Sequence, residues 1–302
     1  MFADLNALTD FSEKCPPKRK FLLISDSQND GSFLIHHFLA LYIKGGFKVF
    51  FVALVQSFSH YNIVAQKLGA NLSSACESGQ VTFLDGLKLV SEGLNDKSKQ
   101  EYSFEKPQTT VSDNNGDDSN PFLNVSNQNF TLQPLYNRIK SSLGKETKPC
   151  LLLIDDVTAL LSIGIHVQEV ISFIHYCSVM MCSSPTTLDG CLVTLAHNDS
   201  DVDDEESLLL WKQLCYVAHM EFHVKGLSSG YCKDVHGQLT ITHRDQNSIK
   251  HSSKVVQYKI HEKMSLALHR ECPRLFFSAE EIMNGRQNDC TITALRWCFS
   301  GL

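Results

Sequence analysis

The chain has 302 residues, a formal net charge of −6 and a hydrophobic fraction of 43%. This length accommodates one or two domains, each with a full hydrophobic core. The negative charge disfavours a protein that binds nucleic acid or an acidic membrane by itself, which includes a stand-alone recombinase-like DNA-binding protein.

The first two thirds of the chain alternate short apolar runs with helical patterns. Phe21–Ser25 predicts a buried strand, Asp26–Gly31 a polar loop, and the stretch from Ser32 to the glycine pair at Gly45 a helix. Further buried strands are predicted at Lys48–Val55, Val81–Leu84, Cys150–Ile154 and Cys191–Ala196, and further helices at Tyr61–Leu68, Leu132–Leu143 and Gln168–Met181.

The last third of the chain changes its hydrophobic period. Beyond the acidic run Asp199–Glu206, apolar residues recur at every second position, which predicts antiparallel strands at Cys215–Val224, Gln238–Thr242 and Val255–Ile260. We therefore expect an α/β fold with a mostly parallel central sheet flanked by helices, and with antiparallel strands added towards the C-terminal end.

Shifts in composition indicate the domain limits. Residues 95–129 hold few large apolar side chains and many polar ones, which predicts a flexible insertion. Residues 263–302 are weakly periodic and form a tail of uncertain placement. We expect a single domain over 1–262.

Several features of the sequence bear on the compartment. Residues 1–15 show no signal-peptide pattern, and the longest apolar runs are too short to span a bilayer. Most cysteines lie in apolar runs, which predicts buried thiols in a reducing compartment. We expect a cytoplasmic protein without membrane association, and the nucleus as a second location.

The loop Asp26–Ser32 has the position of a phosphate-binding loop, between a strand and a helix, but lacks its chemistry. With Gly31 as the second glycine of G-x-x-x-x-G-K-[ST], Asp26 replaces the first glycine and Ser32 the lysine. A shift by one residue supplies no lysine either. Asp26 and Asp30 add negative charge where phosphates would bind, so the motif is degenerate and we expect no cofactor.

The strand Cys150–Ile154 is followed by Asp155 and Asp156, the pattern of the strand whose acid holds Mg²⁺ in active ATPases. Alternatively, Asp156 caps the segment that follows. Without the loop lysine, nothing neutralises the β- and γ-phosphates of a nucleotide. We predict that the chain has no catalytic residues and does not hydrolyse ATP; an active P-loop-type NTPase with an atypical loop is the alternative.

Two other groups of residues invite a metal-site interpretation. His219, Glu221 and His223 share one strand face, which suits zinc, but we favour an exposed polar face of an edge strand because no third protein ligand is evident. The acidic run Asp199–Glu206 lacks the central glycine and terminal glutamate of a calcium loop. We expect a solvated loop there, or one that faces a basic partner, and no metal in the chain.

Segments that resemble a known family span most of residues 1–262, in the family's order. They are DGSFLIHHFL (Asp30–Leu39), KVFFVALVQSFSHYNIVAQKLG (Lys48–Gly69), VTFLDG (Val81–Gly86), LLLIDDVTALLSIG (Leu151–Gly164), FIHYC (Phe173–Cys177) and GLSSGYCKDVHGQL (Gly226–Leu239). On these segments the chain resembles the family of the sixth subunit of the Elongator complex. That family is similar to RecA-type ATPases in fold and has degenerate nucleotide motifs.

The resemblance implies a non-catalytic accessory subunit. Such a chain would form a hetero-hexameric RecA-like ring with Elongator subunits four and five. The ring would dock on the catalytic Elongator subunits, contact tRNA, and support modification of the wobble uridine, U34.

RecA-like domains place the nucleotide loop at a subunit boundary. The resemblance therefore implies that the loop Asp26–Ser32 lies near a partner, and that the polar loop Gln56–Tyr61 faces the same rim of the sheet. The interface residues that we expect are Asp30, His36, Ser57, Phe58 and His60.

Overall fold

The computed structural model describes residues 3–100, 120–123, 125, 130–183, 188–198, 204–227, 230, 232–244, 252–260 and 266–270. For residues 94–100, 266, 269 and 270 it describes the backbone alone. All described residues belong to one compact unit, Met1–Arg270.

The described strands form a single nine-stranded sheet. In chain order they are β1 (Lys20–Ser27), β2 (Lys48–Ala53), β3 (Val81–Asp85), β4 (Cys150–Ile154), β5 (Gly190–His197), β6 (Met220–Lys225), β7 (Gly237–His243), β8 (Ser252–Ile260) and β9 (Leu266–Arg270). Their spatial order is β3-β2-β4-β5-β1-β6-β7-β8-β9. In this spatial order, neighbouring strands pair in parallel from β3 through β2, β4, β5 and β1 to β6. Strands β7, β8 and β9 then continue the sheet in antiparallel pairs. The predicted α/β sheet is confirmed.

Helices cover both faces of this sheet. In chain order they are α1 (Ala3–Thr9), α2 (Ser32–Lys44), α3 (Phe58–Lys67), α4 (Leu72–Glu77), α5 (Gly86–Gln100), α6 (Gln133–Leu143), α7 (Thr158–Ser162), α8 (Val167–Cys182) and α9 (Glu205–Val217). Apolar residues of α1 to α4 pack on one face, and those of α5 to α9 pack on the other.

The central strands are buried on both sides, which explains their uninterrupted apolar runs. Along β1, Leu22 and Ile24 point into the core under α2, while Phe21 and Leu23 point into the core under α8 and α9. All four side chains are fully buried. This double burial fixes the register of β1 and therefore the position of the polar residues that follow it.

The strand predicted at Cys215–Val224 is wrong over its first residues. α9 continues to Val217, and β6 begins only at Met220. Leu210 and Leu214 give α9 a buried stripe at helical spacing, so packing against the sheet overrides the period-two pattern that begins near Cys215.

The predicted insertion at 95–129 lies mostly outside the described residues. Its first part belongs to α5, which continues to Gln100. Phe122 and Val125 are buried in the core under α6 and α8. The flexibility of this insertion and the domain limit at 262 stay predictions; β9 begins at Leu266, within the segment that we predicted as a tail.

We expect Phe222→Ala to lower the free energy of unfolding by about 3–5 kcal/mol, because it leaves a cavity in the core. Phe222 is fully buried on β6, and its ring packs edge-on against Phe38 with centroids 5.6 Å apart. Ile63→Ala is the control, since Ile63 is 55% exposed on α3 and its loss should cost no more than about 0.5 kcal/mol. Urea denaturation measures both; equal effects would contradict this packing.

Candidate functional site

The predicted nucleotide loop and the Asp155-Asp156 pair meet at the carboxyl ends of β1, β4 and β5, where His197 joins them. Asp26 and His197 face each other directly in the register of the parallel strands β1 and β5. Nδ1 of His197 lies 2.5 Å from Oδ1 of Asp26, and Nε2 lies 3.2 Å from Oδ2 of Asp156. We call this contact the His197 bridge.

The bridge holds a positive charge. Hydrogen bonds to Asp156 and Asp26 raise the pKa of His197 from 6.5 to about 10, although partial burial opposes the shift. At neutral pH the imidazolium therefore donates from both ring nitrogens, each to one carboxylate. The site thus carries a cation, but two acids of the chain itself already bind it.

The carboxylates of Asp26 and Asp30 also accept hydrogen bonds from N–H and O–H groups of the loop. The N–H of Gly31 donates to Oδ2 of Asp26 over 2.8 Å. The N–H and the hydroxyl of Ser32 donate to the two carboxylate oxygens of Asp30, over 2.7 and 2.8 Å. In a phosphate-binding loop, backbone N–H groups at these positions bind phosphate oxygens. We call this arrangement of Asp26–Ser32 the closed loop.

Gly31 permits the close approach of Asp26. A Cβ atom at Gly31 would lie 3.3 Å from Oδ2 of Asp26 and 3.2 Å from Cγ2 of Ile24, which is tighter than ordinary van der Waals contact. The glycine that aligned with the phosphate-loop motif therefore makes room for a carboxylate of the same chain.

Asp155 and Asp156 are also bound internally. Asp155 accepts hydrogen bonds from the N–H groups of Leu54 and Val55 and from the hydroxyl of Tyr61. Burial raises the pKa of Asp155, and these hydrogen bonds partly offset the shift. Asp156 accepts from the N–H and the hydroxyl of Thr158, the first residue of α7, whereas the N-cap position is Val157.

A cavity of about 320 Å³ opens beside the bridge. We call it the rim cavity, and its lining residues are Asp30, Ser32, Ile35, His36, Val55, Gln56, His60, Tyr61, Asp155, Asp156, Leu195 and His197.

His36 is the unusual member of this lining. It is 6% exposed, and its Nδ1 is buried without a hydrogen-bond partner among the described residues. Such an unsatisfied atom costs about 1–3 kcal/mol. Burial lowers the pKa of His36 to about 4, so the ring is neutral at physiological pH.

The structure brings together six of the predicted site residues in the rim cavity: Asp30, Ser32, His36, His60, Asp155 and Asp156. Asp26 and Gly31 are not among the residues that line the cavity, and the hydrogen bond between them stabilises the closed loop.

Two further predicted interface residues belong to α3. Ser57 caps this helix by accepting from the N–H of His60. Phe58 packs against Phe83, with ring centroids 5.1 Å apart. Whether these side chains contact a partner stays a prediction.

Sequence reasoning missed His197. Its signal was its position, directly after a buried parallel strand, since the carboxyl ends of neighbouring parallel strands meet at one edge of a sheet. No local motif connects this residue to the loop, because it lies 171 positions after Asp26.

The exposed polar face that we predicted for His219, Glu221 and His223 is wrong, because β6 lies inside the sheet between β1 and β7. Glu221 is 5% exposed and accepts from Ser25, Trp211, Cys215 and Arg244.

The two histidines of that group are engaged with β1. The hydroxyl of Ser25 lies 2.9 Å from Nδ1 of His223, and the N–H of Phe21 donates to Nδ1 of His219. The group is a partly buried set of polar contacts that joins β6 to β1 and α9. Within the described residues, no cluster of three or more His, Cys, Asp or Glu side chains could hold a metal ion.

The acidic run after β5 is described only in its last part. Asp204 caps α9 by accepting from the N–H groups of Glu206 and Ser207, and residues 199–203 lie outside the described part of the chain. Among the helices that the structure describes, none is long and apolar enough to cross a bilayer.

The sheet and its helices define a RecA-like fold, and the loop between β1 and α2 lacks the lysine of a phosphate-binding loop. The solved structure of the flagellar accessory protein FlaH from Methanocaldococcus jannaschii matches 88% of this chain and 95% of its own, with a TM-score of 0.50 and 11% identity. That likeness concerns the fold alone.

The family model for Elongation complex protein 6 matches residues 2–262, and the chain belongs to this family. The Elongator complex protein 6 of Xenopus laevis is 41% identical over 273 residues, and that of Homo sapiens is 38% identical over 279. Each match covers 87% of this chain and 95% of the relative. The predicted family is therefore confirmed.

We expect the contribution of His197 to stability to fall as pH rises from 6.5 towards 10, because the pKa of His197 is raised from 6.5 to about 10 in the folded state. The folded chain holds this proton more tightly, so this contribution is complete below pH 6.5 and lost as the imidazolium deprotonates. Histidines whose pKa is lowered by burial, such as His36, act in the opposite direction near pH 6.5, so the unmodified chain is compared with His197→Gln. Urea denaturation of both between pH 6.5 and 8.5 should show the difference in stability shrinking as pH rises; a constant difference would contradict the bridge.

Proposed function

We propose that this chain is a non-catalytic accessory subunit of the Elongator complex. The observation that carries the proposal is the closed loop: Asp26 and Asp30 accept hydrogen bonds from the N–H groups of Gly31 and Ser32, and the single positive charge of His197 bridges Asp26 and Asp156. A nucleoside triphosphate would have to displace these carboxylates from the N–H groups, and their negative charge would repel its phosphates. The curated relatives carry the name Elongator complex protein 6, which supports membership of that complex.

Within the complex, we propose a ring-forming role. The chain would alternate with Elongator subunits four and five in a hetero-hexameric RecA-like ring that docks on the catalytic subunits. A head-to-tail ring needs two different surfaces on each subunit, and the carboxyl edge of the sheet around the rim cavity would be one of them. The ring would contact tRNA and support modification of U34, in the cytoplasm and also in the nucleus.

The contacts of the acidic pair favour this role over ATP hydrolysis. Asp155 binds Leu54, Val55 and Tyr61, and Asp156 binds Thr158 and His197. An active NTPase needs such a carboxylate for the water shell of Mg²⁺. Measured turnover that vanishes in Asp155→Ala would support the NTPase and contradict our proposal.

Mixing the chain with Elongator subunits four and five should give a stable heteromer, which size-exclusion chromatography with light scattering detects. Asp30→Lys should weaken assembly by about tenfold or more. It should destabilise the isolated chain by only about 1 kcal/mol, because Asp30 makes hydrogen bonds only to Ser32 among the described residues.

The matched control is Asp30→Asn, which removes the charge and keeps an oxygen that accepts from the N–H of Ser32. Its assembly should lie between that of the unmodified chain and that of Asp30→Lys. Failure of the unmodified chain to form a heteromer with subunits four and five would contradict the proposal. Equal loss of assembly and of monomer stability in Asp30→Lys would contradict the boundary role of the loop.

A further inference from the structure

The rim cavity has the wrong charge for phosphate and a suitable charge for a cation. Its lining includes the carboxyl groups of Asp30, Asp155 and Asp156 and the imidazolium of His197. That charge is already shared between Asp26 and Asp156. A ligand that enters the cavity therefore meets an excess of negative charge.

His36 gives a second and independent indication of a ligand. Its ring lines the cavity and is almost completely buried, yet Nδ1 has no hydrogen-bond partner among the described residues. Buried polar atoms are normally paired, and an exception calls for an explanation. A neutral imidazole nitrogen can accept a hydrogen bond from an incoming N–H group.

Three aromatic side chains, His36, His60 and Tyr61, are among the residues that line the cavity. The ring of His36 lies 5.5 Å from that of His60 and 5.3 Å from that of Tyr61, measured between centroids. Ring faces near carboxylates favour flat, delocalised cations, which stack on the rings while their N–H groups reach the oxygens.

We propose that the rim cavity receives a guanidinium group, the side chain of an arginine from a neighbouring subunit, in the place where a nucleotide would bind in an active relative. A guanidinium has only donors, and Asp30, Asp156 and His36 present acceptors to it. No arginine or lysine lines the cavity among the described residues, and the proposed ring would bring a neighbouring chain to this edge of the sheet. This inference rests on the proposed function, because the neighbour belongs to the proposed ring.

The direct test titrates the isolated chain, labelled with ¹⁵N at its histidines, with N-acetyl-arginine amide. We expect the ring signals of His36 and His60 to shift and to saturate at millimolar probe. N-acetyl-citrulline amide has nearly the same shape without the charge, and it should bind about tenfold more weakly or worse. Equal binding of the two probes, or no shift with either, would overturn the inference.

Two variants locate the binding. Asp30→Asn removes a charge and keeps the contact to Ser32, and His36→Phe keeps a ring and removes both nitrogens. Each should weaken the arginine probe by about tenfold, and folding is checked by circular dichroism. Ile63→Ala, on the exposed side of α3, should leave the affinity unchanged. Unchanged affinity in both cavity variants would contradict this site.

A last arm tests the source of the cation. When subunits four and five are added, the arginine probe should no longer shift the signal of His36, because the neighbour's side chain occupies the cavity. A probe that still binds in the assembled ring would show that the cavity takes a free cation. This result would refute the claim that a neighbouring subunit's side chain occupies it. Absence of a heteromer contradicts the proposed function, whereas a probe that does not bind the isolated chain contradicts only this inference.

Discussion

An imidazolium held between two carboxylates determines the arrangement at the carboxyl ends of three parallel strands. His197 of β5 joins Asp26 of β1 to Asp156 after β4, and the strand register places Asp26 and His197 opposite each other. Since the apolar cores on both faces fix that register, the bridge follows from the packing of the whole sheet. The closed loop depends on it, because the bridge holds the carboxylate that accepts from Gly31.

This arrangement changes which ligands the site can take. In an active P-loop enzyme, a lysine and backbone N–H groups present positive potential to phosphates. Here the carboxylates of Asp26 and Asp30 bind such groups, and the cation at the site neutralises acids of the chain. The rim cavity is consequently acidic, and its neutral His36 has a nitrogen without a partner among the described residues. In the proposed ring, such a cavity would suit contact with a basic partner.

Much of the architecture was predictable, because buried parallel strands such as Cys150–Ile154 have a clear apolar signal and the family segments are in order. A loop between this strand and helix was also predicted, but its predicted start at Asp26 is wrong, because β1 continues to Ser27. The start of β6 was not predictable, since the pattern near Cys215 suits either a strand or a helix. The packing of Leu210 and Leu214 against the sheet stabilises a helix there. Nor did any local pattern predict the partner of His197, because a contact across 171 positions depends on strand order.

Calorimetric titration of the isolated chain with MgATP tests the central claim most directly, namely that the chain's own carboxylates close the loop to phosphate. The account predicts no saturable heat up to about 1 mM nucleotide, because binding would expel Asp26 and Asp30 from their N–H donors and place phosphates beside them. Stoichiometric binding with a dissociation constant of about 1 μM would contradict it, since an open loop would then be the stable state.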